Sequence, residues 1–343
     1  MEGQTTKQYG AFDVMKLIAA LLVVMIHTSP LDSFSKTGDF FVTRIMARIA
    51  VPFFFMVSGF FLLAEWKQEK VIQFLKKTLY IYIVTIVLYF PIGWYTGKFE
   101  GLSLLEWGRL LVFDGTFYHL WYLPASILGV SLLVVGRKWV SFGGLGVMSF
   151  VLYVIGTFGD SYYGISEQIP ALNTMYKILF QIATYTRNGV FFAPMFLWLG
   201  AYVGKKRTSK IKYMWIGLSV SFLCMTAEAF VLRTYQIPRH DSMYFFLLPT
   251  MYFLFIGVQS IPKAPQMQMR ALSLIVYLIH PLSILVIRGI GKVTKTTEYL
   301  IGNSLLHYLL VCVISLGVGI LWIRVRQRED IKKENETVDF SSR

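Results

Sequence analysis

The sequence predicts an all-α integral membrane protein of about ten transmembrane helices with both termini in the cytoplasm, and three observations carry that reading. Of 343 residues, 55% are hydrophobic and only 15% charged. With a mean hydropathy of +0.57, that composition excludes a soluble globular or disordered chain. Apolar windows long enough to cross a bilayer recur along the chain, bounded by charge or by Gly, Pro and Asn clusters. Lys and Arg collect in alternate connecting segments, as they do on the cytoplasmic side of membrane proteins.

The windows run approximately over 11–30, 43–64, 73–95, 121–136, 140–158, 187–204, 211–233, 243–261, 271–289 and 303–323. In the first, no small-residue cleavage site follows Leu17–Ile26, so it reads as a span and not as a removable signal. The fourth is short and starts near Trp121. Pro52, Pro194, Pro249 and Pro281 fall within or near windows and predict kinks or breaks. An even number of spans puts both termini on one side. With the N-terminus inside, the inner segments hold Lys67, Lys70, Lys76 and Lys77, then Arg137 and Lys138. They continue with Lys205, Lys206, Arg207, Lys210 and Lys212, then Lys263 and Arg270, then the tail from Arg324. The outer segments carry Asp32, Asp39, Glu100, Asp114, Asp160, Glu167 and Asp241 among fewer bases.

Topology therefore explains the net charge of +14, and nucleic-acid binding is discarded. Cys224 and Cys312 lie in apolar runs and read as packing residues, with neither disulfide nor metal spacing. Residues 1–323 form the membrane domain. Residues 324–343, RVRQREDIKKENETVDFSSR, are too polar to fold alone. They read either as a disordered end or as a cytoplasmic linker to a further soluble domain.

Ionisable groups at membrane depth are costly unless they face a cavity or a partner, so they are the first functional candidates. Lys16 and His27 lie eleven residues apart in the first window, about three helical turns, and so on nearly one face. Their structural alternative is a snorkelling lysine and an interfacial histidine. Arg44 and Arg48 open the second window, and Arg48 lies deep enough to need a carboxylate or an anionic ligand. Ser58 and Gly59 permit close helix packing. His119 and Tyr122, in YHLWY, suit a ligand mouth or an aromatic belt. GDSYYG carries Asp160, and TRNG carries Arg187 and Asn188 at a helix start, a place that favours anions. Glu228 is the acid well inside the seventh window, either in an internal salt bridge or at a ligand. The loop IPRHDSMY carries His240 and Asp241 beside Arg239, His280 precedes Pro281, and His307 reads as interfacial. No phosphate loop, dinucleotide fingerprint, zinc spacing or nucleophile elbow occurs.

These residues resemble the membrane-bound acyltransferase-3 family, a ten-helix group marked by a basic residue separated by ten residues from a histidine in its first span. Lys16 and His27 match that mark, and Arg48 before VPFFFMVSGFFL, HLWYL from His119 and YLIH ending at His280 also resemble the family pattern. The resemblance implies transfer from cytoplasmic acyl-CoA to a sugar-like acceptor outside, with His27 as general base and Lys16 near the CoA phosphates.

GDSYYG, TRNGVFFAPMFLWLG and IPRHDSMYFFLLP are similar to the membrane domain of the VanT-type membrane-bound serine racemases. That likeness implies uptake of L-serine and its delivery to a fused cytoplasmic pyridoxal-phosphate (PLP) racemase domain, through which the protein would dimerise. The product would serve D-Ser-ended peptidoglycan precursors in vancomycin resistance at the bacterial plasma membrane. After Arg324 there are no βα repeats to build a racemase barrel, so within these residues the expectation is binding or movement of the amino acid, with no cofactor.

Two functions use the same residues. A serine domain needs a cation for the carboxylate, from Arg48 or Arg187, an acid for the ammonium, from Glu228, Asp160 or Asp241, and dipoles for the hydroxyl, from Asn188, His27 or Tyr122. His119 and His240 are further candidates at its mouth. An acyltransferase would use His27 to deprotonate an acceptor hydroxyl and Lys16 to hold the donor phosphates.

Overall fold

The computed structural model describes residues 9–206 and 212–341, with side chains up to Glu329. Arg207 and Lys210 of the basic run and Arg343 of the tail lie outside the described residues. In chain order the first helices are α1 (Gly10–Thr28) and α2 (Lys36–Phe40), the latter passing through a π turn (Phe41–Ile45) and a 3-10 turn (Met46–Ile49) into α3 (Ala50–Leu62). Then follow α4 (Gln68–Tyr95), α5 (Leu104–Arg109) with a π turn at Leu110–Asp114, α6 (Tyr122–Gly136), α7 (Phe142–Phe158), α8 (Tyr163–Glu167) and α9 (Pro170–Ile182). The last are α10 (Ala193–Lys206), α11 (Met214–Thr234), α12 (Leu247–Ser260), α13 (Met267–Val293) and α14 (Ser304–Ser341). No strand forms among the described residues, although an isolated bridge joins Tyr9 to Lys263.

Each apolar window of the sequence falls on a helix. Among the described residues, six helical stretches are long and apolar enough to cross a membrane: Gly10–Thr28, Lys36–Leu62, Gln68–Tyr95, Met214–Thr234, Met267–Val293 and Ser304–Glu329. The other four windows hold shorter helices, of 15 residues in α6, 17 in α7 and 14 in both α10 and α12. The shortfall has a local cause, because the windows near 187 and 243 take in apolar turns ahead of proline-started helices. Pro52 follows directly on the π and 3-10 turns that interrupt the stretch from Lys36 to Leu62, and Pro194 and Pro249 open their helices. These two sit in the first turns of α10 and α12, where backbone N–H groups have no intrahelical acceptor and a missing donor costs nothing. Pro281 does lie inside a helix, α13, as does Pro91 in α4.

Large apolar side chains face outward in a way no water-exposed surface would support. Val87 on α4 is 67% exposed, Leu223 on α11 66% and Leu321 on α14 64%. These faces suit lipid. The chain is thus a multi-pass, all-helical membrane domain.

Two compact units form, one from Met1–Ala50 with Ile261–Arg343 and the other from Val51–Ser260. In the first, α1 packs on α13 and α14. The start of α1 is closed by backbone contact: Gly10 N donates to Lys263 O at 2.8 Å, and a Cβ at Gly10 would lie 1.7 Å from Ala264 O. Ser283 and Ser315 hydroxyls share a hydrogen bond of 2.9 Å between α13 and α14, and Ser304 Oγ donates to Pro30 O at 2.8 Å.

In the second unit α3 and α10 cross with their backbones nearly touching. A Cβ at Gly59 would lie 1.9 Å from Leu197 O, and one at Gly200 would lie 2.0 Å from Met56 O. The packing role expected of Gly59 is met by this reciprocal pair, while Ser58 Oγ donates to Phe54 O within its own helix. Trp198 Nε1 donates to Phe142 O at 2.8 Å, fixing α10 against α7.

Candidate functional site

In the first unit, chemistry gathers at both ends of α1. Near its start Asp13 is almost fully buried. Its carboxylate accepts from Gln266 N at 3.1 Å and Arg270 Nε at 2.8 Å, and Lys16 Nζ stands 3.8 Å away. Burial of a carboxylate is affordable here because two cations and a backbone amide surround it. Lys16 is therefore held in an ion cluster with α13 and does not simply reach for headgroups.

Near the other end of α1 the His27 ring stacks on His280 with centroids 5.4 Å apart and planes at 19°. His280 Nδ1 lies 2.8 Å from Tyr277 O. A carbonyl can only accept, so Nδ1 carries the proton and Nε2 of the neutral ring is the acceptor. Lys16 and His27 share α1, about 16 Å of rise apart. Arg48, 8% exposed, sits on the 3-10 turn that follows the π turn, a departure from α geometry that often marks functional segments.

In the second unit the acids nominated from the sequence are engaged with backbone. Asp160 Oδ1 accepts from Ser242 N at 2.7 Å and Met243 N at 3.0 Å, and Ser161 Oγ donates to the same oxygen at 2.9 Å. His240 Nδ1 stands 3.6 Å from Asp160 Oδ2 and is hydrogen-bonded to Ser242 Oγ. Asp241 occupies the turn that this cluster holds. Glu228 accepts from Phe245 N at 2.7 Å, Phe246 N at 2.9 Å and Tyr162 OH at 2.8 Å. Those amides lead into α12, so a carboxylate from α11 caps the start of a neighbouring helix and opposes its dipole. Asn188 does similar local work, its Oδ1 accepting from Val190 N at 2.8 Å and Phe191 N at 3.1 Å ahead of α10.

His119 is buried among rings, with Tyr89 at 5.0 Å and Phe117 at 5.7 Å. Tyr122 packs on Phe55 at 4.9 Å.

Arg187 is the nominated residue that lines a cavity. Its guanidinium lies 4.9 Å from the Trp121 ring and 4.6 Å from the Tyr185 ring. The cavity, about 210 Å³, is also lined by Lys98, Asp114 and Tyr118. Its walls follow from local chemistry. A capping box between Ser103 and Glu106 starts α5. The π turn then carries Asp114 to Gly115, whose φ of +76° ends it. A Cβ there would lie 2.6 Å from Trp121 N, so glycine is required both by conformation and by space.

Asp114 accepts from Thr184 Oγ1 at 2.5 Å and Thr184 N at 3.1 Å, with Arg109 Nε at 3.5 Å. Lys98 Nζ donates to Thr116 O at 2.9 Å. Burial raises the Asp114 carboxyl above the ordinary range, against the pull of Thr184, Arg109 and Arg187. Burial likewise lowers the Lys98 ammonium, against the pull of Asp114. The three charges thus feel one another across one partly desolvated space.

Sequence reasoning counted Asp114 only as an outer-loop acid and did not single out Lys98. Depth in an apolar window was the signal sought, and both residues lie between windows. The signal that was present is an Asp-Gly pair one residue ahead of the aromatic string from Phe117 to Tyr122. Among the described residues, no group of three or more His, Cys, Asp or Glu is placed to hold a metal ion.

Comparison with known proteins supplies the context. An amino-acid racemase of Enterococcus faecalis is 41% identical over 97% of this chain and 47% of its own length. A second from the same organism is 36% identical over 96% of the chain and 48% of its own length. A serine/alanine racemase of Enterococcus gallinarum is 32% identical over 94% of the chain and 48% of its own length. The chain spans about half the length of the curated relatives it matches. No solved structure matches it. The acyltransferase-3 model, described as an acyltransferase domain, matches residues 9–324, and the chain belongs to that family.

Proposed function

We propose that the chain is the membrane domain of a serine/alanine racemase of the bacterial plasma membrane, taking up L-serine and delivering it to a cytoplasmic PLP-dependent domain. That domain would convert it for D-Ser-ended peptidoglycan precursors in vancomycin resistance and would carry the dimer contact. In this reading the ten helices on the apolar windows all cross, both termini are cytoplasmic, and the short helices α6, α7, α10 and α12 are completed by their flanking turns.

The observation that carries the reading is that proteins named as amino-acid or serine/alanine racemases match nearly all of this chain with only half of their own length. An amino acid is a zwitterion that does not cross lipid unaided, so a membrane domain shared with racemases has an evident task. Asp160 and Glu228 pin the turn ahead of α12, while Lys98, Asp114 and Arg187 supply charges of both signs.

The test is radiolabelled L-serine uptake into proteoliposomes, with acetyl-CoA binding measured on the same protein. Saturable uptake without CoA binding, lost in His27→Ala, is the expected result. Acyl transfer is the second reading, favoured by Lys16 and His27 on one helix with His280 stacked on His27. Tight CoA binding without uptake would establish it and overturn the first.

A further inference from the structure

The cavity beside Arg187 has a charge pattern that selects its ligand. Two cationic side chains, Lys98 and Arg187, and one carboxylate, Asp114, line it. A simple anion would meet the carboxylate, and a simple cation would meet both bases. A molecule carrying both charges a few bonds apart satisfies all three at once.

Size narrows the class further. About 210 Å³ is below the roughly 300–1,000 Å³ of pockets for drug-sized ligands, so a nucleotide donor or an oligopeptide does not fit within it.

Preorganisation adds to the match. The guanidinium of Arg187 lies against the Trp121 and Tyr185 rings, which restrict its motion. Asp114 is held by both Thr184 donors, with Arg109 Nε at 3.5 Å, and a carboxylate offers about four lone-pair sites, so one remains for an ammonium. Lys98 is anchored on Thr116 O by one of its three donors.

We propose that this cavity binds a small zwitterionic α-amino acid, with Arg187 and Lys98 taking the carboxylate and Asp114 the ammonium. The assignment rests on the amino-acid reading of the domain and gives that reading a location. A cavity of about 210 Å³ walled by Tyr118, Trp121 and Tyr185 suits a small amino acid, and glycine, alanine and serine are the ligands to test.

The test is equilibrium binding of radiolabelled L-serine, L-alanine and glycine to the purified full chain in nanodiscs. Competitors are L-serine methyl ester, which lacks the carboxylate, and 3-hydroxypropionate, which lacks the ammonium. Wild type should discriminate against both competitors at least tenfold. Asp114→Asn should weaken amino-acid binding about tenfold or more and abolish discrimination against 3-hydroxypropionate alone. Arg187→Gln should weaken discrimination against the methyl ester and leave that against 3-hydroxypropionate in place. Tyr118→Trp, which fills the cavity and keeps all charges, should block binding.

A loss of fold would lower binding of every ligand together, so the selective loss of one discrimination is the diagnostic result. If wild type takes up L-serine and the variants bind it unchanged, the cavity assignment falls and the uptake function stands. If another small zwitterion binds with the stated dependence while L-serine is not transported, the site stands and the uptake reading falls. Equal binding of 3-hydroxypropionate by wild type makes this an anion site and overturns the proposal, as does binding of none of the three amino acids.

Discussion

The carboxylates of this protein differ in their surroundings, and the difference decides what each can do. Asp160 and Glu228 receive backbone N–H groups at 2.7 to 3.0 Å, and these bonds hold the segment before α12. The depth of Glu228 in an apolar window announced a need for compensation, and depth alone does not tell a ligand from a main-chain amide. Asp114 also accepts a backbone amide, from Thr184, but it lines an open volume together with the cations Lys98 and Arg187. Its affinity for an ammonium has a definite pH dependence. The groups facing it are Arg109, Arg187, Lys98 and the Thr184 donors. Acidification adds protons and takes no positive charge away, so the carboxyl is the group among them whose charge is lost. Its ionised form binds, and burial raises the pH at which that form is lost. Amino-acid affinity should therefore decline on mild acidification, earlier than an ordinary aspartate would allow. In Asp114→Asn the weak residual affinity should be flat over the same range, as binding measured across a pH series will check.

At the scale of elements, glycine and proline explain most of what hydropathy windows leave out. Gly59 and Gly200 bring α3 and α10 to backbone contact. Gly59→Ala puts a methyl group 1.9 Å from Leu197 O, so the helices must separate, at a cost of ~1–3 kcal/mol or more. A thermal melt of the detergent-solubilised protein should show a clear drop in Tm. Gly317→Ala, with nothing within 4 Å of the added carbon, should leave Tm unchanged or raise it, by about 0.5–1 kcal/mol of helix propensity. The apolar windows located the helices because lipid-facing and core-facing residues are equally hydrophobic. They misjudged ends at α10 and α12 for the same reason: Phe191, Phe192, Tyr244 and Phe245 are as apolar as a span and lie in turns. The outer ring of the cavity was illegible because its parts come from three separate connections, around Lys98, Asp114 and Tyr185, and no local pattern in sequence joins them.

For the whole molecule, the charge distribution carries the topology. If the ten helices cross with both termini inside, cysteines placed at Asp32 and Glu106 should react with an impermeant maleimide on intact cells. A cysteine at Glu69 should react only after permeabilisation. The background would be Cys224→Ala with Cys312→Ala, since both native thiols lie on apolar helices. Labelling of all three sites from one side would remove the alternating arrangement. The last helix extends this molecular scale. The tail whose composition suggested a disordered end or a linker continues α14 without interruption from Ser304 to Ser341, 38 residues, or about 57 Å at 1.5 Å per residue. Such a rod has no swivel, so it acts as a torsion shaft. Because each residue turns an α-helix by about 100°, inserting or deleting one residue past Arg324 would re-aim anything carried at its far end by more than a quarter turn, with every contact inside the membrane left intact.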